Sequence, residues 1–212
     1  LFVRNFLSFQ TPYNSLLLYH GLGTGKTCSA ITICEEMRDY LMQIGLSTSK
    51  KIIIVASPNV QENFKLQLFD KNKLKLIDGI WNIRSCTGNK FLKEINPMNM
   101  KGMEQDKVVA EIKKIIRSSY RCLGYDQFAN LIEKTSSVSD DIVDKSHRTK
   151  IMIQKLKLVF GNSLIVIDEF HNIKSTDEKS GTRAVADQLE KLVRFGPFLM
   201  TRLLLLTGTP MY

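Results

Sequence analysis

Apolar residues fall along this chain in two rhythms. Short apolar runs occur at 15–19, 51–57, 80–86, 120–123, 163–167 and 202–206, and the stretches Ile52-Ile53-Ile54-Val55 and Leu164-Ile165-Val166-Ile167 contain no polar position. A strand with one face in water alternates apolar and polar residues, whereas a strand covered on both faces does not, so these runs predict interior strands with helices on each side. Between them, the segments 26–42, 60–71, 89–95, 106–119, 126–135, 148–160 and 181–195 show helical spacing; in the first, Ala30, Ile33, Met37 and Leu41 share a face. Strands alternating with helices predict an α/β domain with a mostly parallel sheet. Right-handed crossovers then gather the strand C-termini, and the loops after them, along one edge. Two stretches break the rhythm: 96–105, with Pro97, Gly102, Met98, Met100 and Met103, and 135–150, rich in Ser, Asp and Lys. Both predict surface insertions, the second mobile, with the methionines as loop residues or gap filler.

The loops at that edge carry the chemistry. After the 15–19 strand come His20-Gly21-Leu22-Gly23-Thr24-Gly25-Lys26-Thr27, then a helix. Glycines let backbone N–H groups approach phosphates, a lysine at this spacing reaches the β- and γ-phosphates, and the following hydroxyl ligates Mg²⁺. The strict pattern has glycine where His20 stands, but the strand, loop and helix arrive in the required order. The 163–167 strand runs into Asp168-Glu169-Phe170-His171. An acidic residue there holds the Mg²⁺ of a bound nucleotide, and Glu169 is placed to polarise the attacking water. The pair of boxes predicts ATP–Mg²⁺ binding and hydrolysis, with Lys26, Asp168, Glu169 and His171 as catalytic candidates. A third strand ends in Thr207-Gly208-Thr209-Pro210, whose hydroxyls are suited to sensing the γ-phosphate and relaying its loss.

Composition narrows the partners. With 212 residues, 43% of them hydrophobic, the chain suffices for one α/β domain with a substantial core. No apolar run approaches the roughly 20 residues of a membrane span, so no membrane partner is expected. Cys28, Cys34, Cys86 and Cys122 include no Cys-x-x-Cys pair, which suggests neither a zinc site nor a disulfide framework and points to a reducing compartment. The net charge of +9 points to a polyanionic partner; Lys65, Lys71, Lys73, Lys75, Lys90, Lys93, Lys113, Lys114, Arg117 and Arg121 supply much of the excess. Leu1 in place of Met, and an end at Tyr212 just after a motif, suggest a piece of a longer protein.

In this order the boxes resemble the first RecA-like domain of superfamily 2 helicases. Gly23-x-Gly25-Lys26-Thr27 is similar to their motif I, Asp168-Glu169-Phe170-His171 to the Asp-Glu-x-His motif II, and Thr207-Gly208-Thr209-Pro210 to the Swi/Snf-like motif III. Phe170 departs mildly from the commoner alanine, and no adenine-contacting glutamine motif accompanies the set. Ala56-Ser57-Pro58-Asn59 resembles motif Ia, and Gly124-Tyr125-Asp126-Gln127-Phe128 the element that precedes motif II in Swi/Snf-type proteins. The resemblance implies nucleic-acid backbone contacts near Pro58, Asn59, Gly124 and Tyr125. The flanks of the phosphate loop and Cys86-Thr87-Gly88-Asn89-Lys90-Phe91 look like helicases of nucleocytoplasmic large DNA viruses, including the early transcription factor small subunit and the viral nucleoside triphosphatase. That implies a second RecA-like lobe bearing an arginine finger beyond motif III, weak turnover by the first lobe alone, and a place in the virion or the host cytoplasm. Three readings follow: a translocase or helicase on DNA, with RNA as the alternative track; an ATPase subunit that remodels viral transcription complexes without unwinding; and a nucleotide-dependent scaffold. The intact Lys26, Thr27, Asp168 and Glu169 weigh against the third.

Overall fold

The computed structural model describes residues 6–7, 11–19, 21, 25–139, 144–173 and 180–208. Their order is β1 (Ser15–Tyr19), α1 (Lys26–Gln43), β2 (Ile52–Val55), α2 (Pro58–Leu68), β3 (Leu74–Ile77), β4 (Ile80–Ile83), α3 (Lys90–Ile95), α4 (Gln105–Ser119), β5 (Tyr120–Leu123), α5 (Tyr125–Ser136), α6 (Lys145–Phe160), β6 (Leu164–Ile167), α7 (Ser180–Leu199) and β7 (Arg202–Thr207). Five strands form one parallel sheet in the order β1-β7-β6-β2-β5, flanked by helices, as in a RecA-like fold.

The unbroken apolar strands explain the layering. In β2, Ile52 and Ile54 enter a core with Ala30, Ile33 and Met37 of α1, Phe64 of α2 and Ile112 of α4. Their neighbours Ile53 and Val55 enter a second core with Phe128 of α5, Leu156 of α6 and Leu189 of α7. β6 divides the same way, Leu164 and Val166 to the first core, Ile165 and Ile167 to the second. Alternate side chains of a strand point to opposite faces, so a strand apolar at every position demands two cores. Each fully buried Ile or Leu contributes about 1.5–3 kcal/mol relative to exposure.

Three expectations are corrected. The run at 80–86 is not a strand of the main sheet: β4 pairs antiparallel with β3 in a separate hairpin, Leu74 opposite Ile83. Asp78 and Gly79, both at positive φ (51° and 81°), make the tight two-residue turn that joins antiparallel strands and sets the pair apart. The stretch 135–150 is not loop throughout. Helix α5 continues to Ser136, and α6 begins at Lys145 because the Asp144 side chain caps it, accepting the Ser146 N–H at 2.9 Å. Finally, Cys28 and Cys86 form a disulfide, with Cα atoms 5.2 Å apart. Cys28 lies in the first turn of α1 and Cys86 follows β4, so the fold joins cysteines whose 58-residue separation carries no pairing signal. Cys34 and Cys122 remain free thiols.

In the 96–105 stretch, the Asn96 side chain holds a turn by bonding both backbone groups of Met100. Met98 and Met100 are exposed there, while Met103 packs on the first core and accepts the Trp81 indole N–H at its carbonyl. Met98 and Met100 are thus loop residues and Met103 is gap filler.

On the buried side of α1, Glu35 and Arg38 are paired, and Arg38 also reaches Glu94. Lys90 bonds Glu35 and Asp39, and the Tyr120 hydroxyl donates to Glu35. The guanidinium also lies over the Phe91 ring, 5.0 Å from its centroid. This network fastens α3 to α1.

Candidate functional site

Parallel pairing sets three strand ends side by side. Tyr19 of β1 is level with Thr207 of β7, and Ile167 of β6 with Leu205 of β7. Thr207 therefore stands two residues further along the strands than Ile167, beside the segment that follows β6. β7 separates the phosphate-loop strand from the acidic strand, so its terminal hydroxyl lies between the two boxes.

Gly25 ends the phosphate loop at φ 86°, and its carbonyl accepts the Ser29 N–H as the first turn of α1 closes. No other residue type enters this left-handed conformation without strain, while Lys26 and Thr27 begin the helix proper. The Lys26 ammonium lies 2.9 Å from Glu169 Oε1 and 3.1 Å from Asp168 Oδ1. Burial works against that positive charge, but the hydrogen bond from Lys26 to Glu169 and the charge of Asp168 outweigh it and hold the lysine pKa above its ordinary value.

Asp168 is buried at the end of β6, where its N–H donates to Val55 of β2. Its side chain accepts the Glu169 N–H at 2.8 Å, and its carbonyl accepts the Tyr125 hydroxyl at 2.7 Å. Glu169 adopts φ 49° and ψ 47°, a left-handed conformation that costs a non-glycine residue about 1–2 kcal/mol. That turn swings the chain from the strand into a short 3₁₀ segment, Phe170–Asn172, and brings His171 back over Glu169. His171 Nδ1 is 3.0 Å from the Thr207 hydroxyl and 3.3 Å from Glu169 Oε2. The fold thus assembles Lys26, Asp168, Glu169, His171 and Thr207 into one connected polar group.

The other predicted residues divide. Thr27 is half-buried in the first turn of α1, Gly21 is exposed, and Gly208 directly follows β7. His20, Leu22, Gly23, Thr24 and Thr209 lie outside the described residues. Pro58, Gly124 and Tyr125 line an open cleft of roughly 660 Å³ at the ends of β2 and β5, whereas Asn59 is exposed on α2 outside that lining. Gln61 and Asn172 also line the cleft and were not singled out from sequence. Gln61 donates to the Ala56 carbonyl at 2.8 Å, satisfying the group that β2 leaves unpaired as it ends. Of the residues that supply the charge excess, Lys90 has its ammonium bonded to Glu35 and Asp39 of α1. Among the described residues, no helix is long and apolar enough to cross a membrane, and no three His, Cys, Asp or Glu side chains cluster as a metal site.

Comparison with known proteins gives the same direction. No protein-family model matches the chain. It is 28% identical over 218 residues to "Putative ATP-dependent RNA helicase R563" of Acanthamoeba polyphaga mimivirus, a match that covers 100% of this chain and 29% of the relative. It is 26% identical over 215 residues to "Putative helicase 087L" of Invertebrate iridescent virus 3, covering 99% of this chain and 18% of the relative. A shorter match, 54% identical over 39 residues, joins it to "Putative ATP-dependent RNA helicase R350" of the mimivirus, covering 18% of this chain and 5% of that protein. The chain spans less than a third of the length of each of these viral relatives, and the similarity to proteins named as helicases extends across the whole of it.

Proposed function

We propose that this chain is the first RecA-like, ATP-binding lobe of a nucleic-acid translocase or helicase of superfamily 2, with residues 1–212 forming one domain and a second lobe closing on it in the full-length protein. The observation that carries the reading is the Lys26 ammonium bonded to both carboxylates of the Asp168-Glu169 box. Lysine and acidic pair sit within reach of one phosphoryl group, and the Thr207 hydroxyl is linked to the box through His171.

In this reading Lys26 leaves the carboxylates when ATP arrives and binds its β- and γ-phosphates. Backbone amides of 20–25 cradle the nucleotide. The Thr27 hydroxyl and the Asp168 carboxylate are the oxygen donors that would hold Mg²⁺, a set suited to a hard cation that keeps several waters. When bound, the ion offsets the charge on the phosphates. Glu169, freed from Lys26, orients and deprotonates the attacking water, and His171 passes the state of the site to Thr207. The arginine that completes such sites comes from the second lobe and contributes about 10³–10⁵ in rate in related systems, so the first lobe alone should bind ATP and turn it over slowly.

The motif III form and the viral resemblance favour duplex DNA as the track. RNA is the second reading, supported by the names of the mimivirus relatives. A role as an ATPase subunit of viral transcription machinery, acting in the virion or host cytoplasm, uses the same site. The deciding experiment measures ATP hydrolysis by the full-length protein with duplex DNA, single-stranded DNA and RNA, beside Lys26→Ala. Stimulation by one polymer that disappears in the variant supports the reading. Hydrolysis unaffected by Lys26→Ala overturns it.

A further inference from the structure

We propose that Tyr125 is a positioning residue through which occupancy of the cleft at the ends of β2 and β5 sets the orientation of the Asp168–Glu169 peptide, and with it the water-activating carboxylate. The inference rests on the reading of Glu169 as the hydrolytic base. It assigns the phenol hydroxyl a task separate from the backbone contacts expected near Tyr125.

The geometry is a clamp on one peptide unit. The carbonyl of the Asp168–Glu169 peptide accepts the Tyr125 hydroxyl at 2.7 Å, and its N–H donates to the Asp168 carboxylate at 2.8 Å. With both ends bonded, the plane of that peptide is fixed, and so is the left-handed turn at Glu169 that aims its side chain toward Lys26. A residue held away from its preferred backbone region persists only while its surroundings define it, and here one of the two definers comes from another helix.

Tyr125 also faces the cleft. It is the first residue of α5, and with Pro58, Gly124 and Asn172 it lines the space where a nucleic-acid backbone would lie. The Gly124 N–H just before it is already engaged, donating to the Gln127 side-chain oxygen at 3.0 Å. A strand entering the cleft therefore meets a helix end whose first side chain reaches past it to the acidic box. Any displacement of that end is transmitted to the Asp168 carbonyl through a single hydrogen bond.

The test compares wild type and Tyr125→Phe in the full-length protein, reading nucleic-acid-stimulated kcat, the KM for ATP and the Kd for the stimulating polymer. Loss of one hydrogen bond to a positioned peptide should lower the stimulated kcat about five- to tenfold, with KM and Kd held within about twofold. An unchanged stimulated kcat overturns the proposal, as does a fall accounted for by weaker polymer binding, which would make Tyr125 a contact residue. Should Tyr125→Phe fail to fold, Tyr125→Met carries the test, because it keeps an apolar side chain at the cleft, removes the same hydroxyl and should split kcat from KM in the same direction. A wild type indifferent to every polymer defeats the underlying reading instead, and shows it before any substitution is made.

Discussion

Lys26 and Glu169 stand 143 positions apart in sequence, and the ammonium of one lies 2.9 Å from the carboxylate of the other. The contact sets a competition: ATP must draw Lys26 away before Glu169 can act on water. Lys26→Ala should therefore abolish measurable ATP binding by calorimetry. Glu169→Gln should keep ATP affinity within a few-fold and lower turnover by about 10²–10⁴, the usual contribution of a positioned base. Equal affinity for wild type and Lys26→Ala would remove the basis for the site. The raised lysine pKa gives the pairing a definite pH dependence: its contribution is complete below the ordinary value of 10.5 and is lost only as pH rises through the folded value. Variation of activity near neutrality must then come from other groups.

The Thr207 hydroxyl lies 3.0 Å from His171 Nδ1, which suits it to relay. In the full-length protein, Thr207→Ala combined with Thr209→Ala should keep nucleic-acid-stimulated ATPase activity within about threefold, as expected for loss of a neutral hydrogen bond, and lose translocation or strand displacement. ATPase and displacement assays on one preparation check this. A proportional loss of both would count against coupling.

The parts legible in the sequence are those governed by local rules. β1 and β5 match their apolar runs at both ends, and the two-sided burial of β2 and β6 follows from their lack of polar positions. The meeting of Lys26 with Asp168 and Glu169 could be anticipated because each lies just beyond a strand of the same parallel sheet. What was not legible depends on pairing across the chain. β3 is only Leu74-Lys75-Leu76-Ile77, too short to stand out without its partner, although Asp78-Gly79 carried a hairpin signal. Cys28 and Cys86 meet because a hairpin and a helix end converge. Tyr125 could be placed at a helix start, but no pattern in one sequence reveals that its hydroxyl reaches a carbonyl 43 residues away.

The charge excess makes a separable claim. Lys90 is held in the α1 network, which leaves Lys93, Lys113 and Lys114 as the lysines of this set to test. Replacing these three by Gln should weaken binding alike for unrelated sequences and reduce the slope of log affinity against log salt, by up to about 0.9 per lysine that meets a duplex phosphate. Fluorescence anisotropy at several salt concentrations gives both quantities. Unchanged affinity and slope would make these lysines a solvated face, and strong dependence on base sequence would argue against a motor.

The network beneath α1 should govern acid stability. Glu35 is buried, and although burial alone would raise its pKa, the hydrogen bond and charge of Arg38, with Lys90 and Tyr120, lower it below the ordinary carboxylate value. A depressed carboxyl pKa contributes stability that is present above the ordinary value of 4.5 and is lost as pH falls through the folded value. Arg38→Met would leave Glu35 buried without its main partner, and removal of one member of a buried pair costs about 3–5 kcal/mol. In urea melts the variant should be less stable than wild type by about that amount at pH 7, and the gap should narrow below about pH 4.5, where Glu35 can take up a proton. Adding Glu35→Gln should restore part of the loss, because it removes the stranded charge rather than any packing. If Arg38→Met melts like wild type at pH 7, or if the gap widens in acid, the network is not what fastens α3 to α1, and the burial of Phe91 and Leu92 in the first core becomes the better account of how that helix is held.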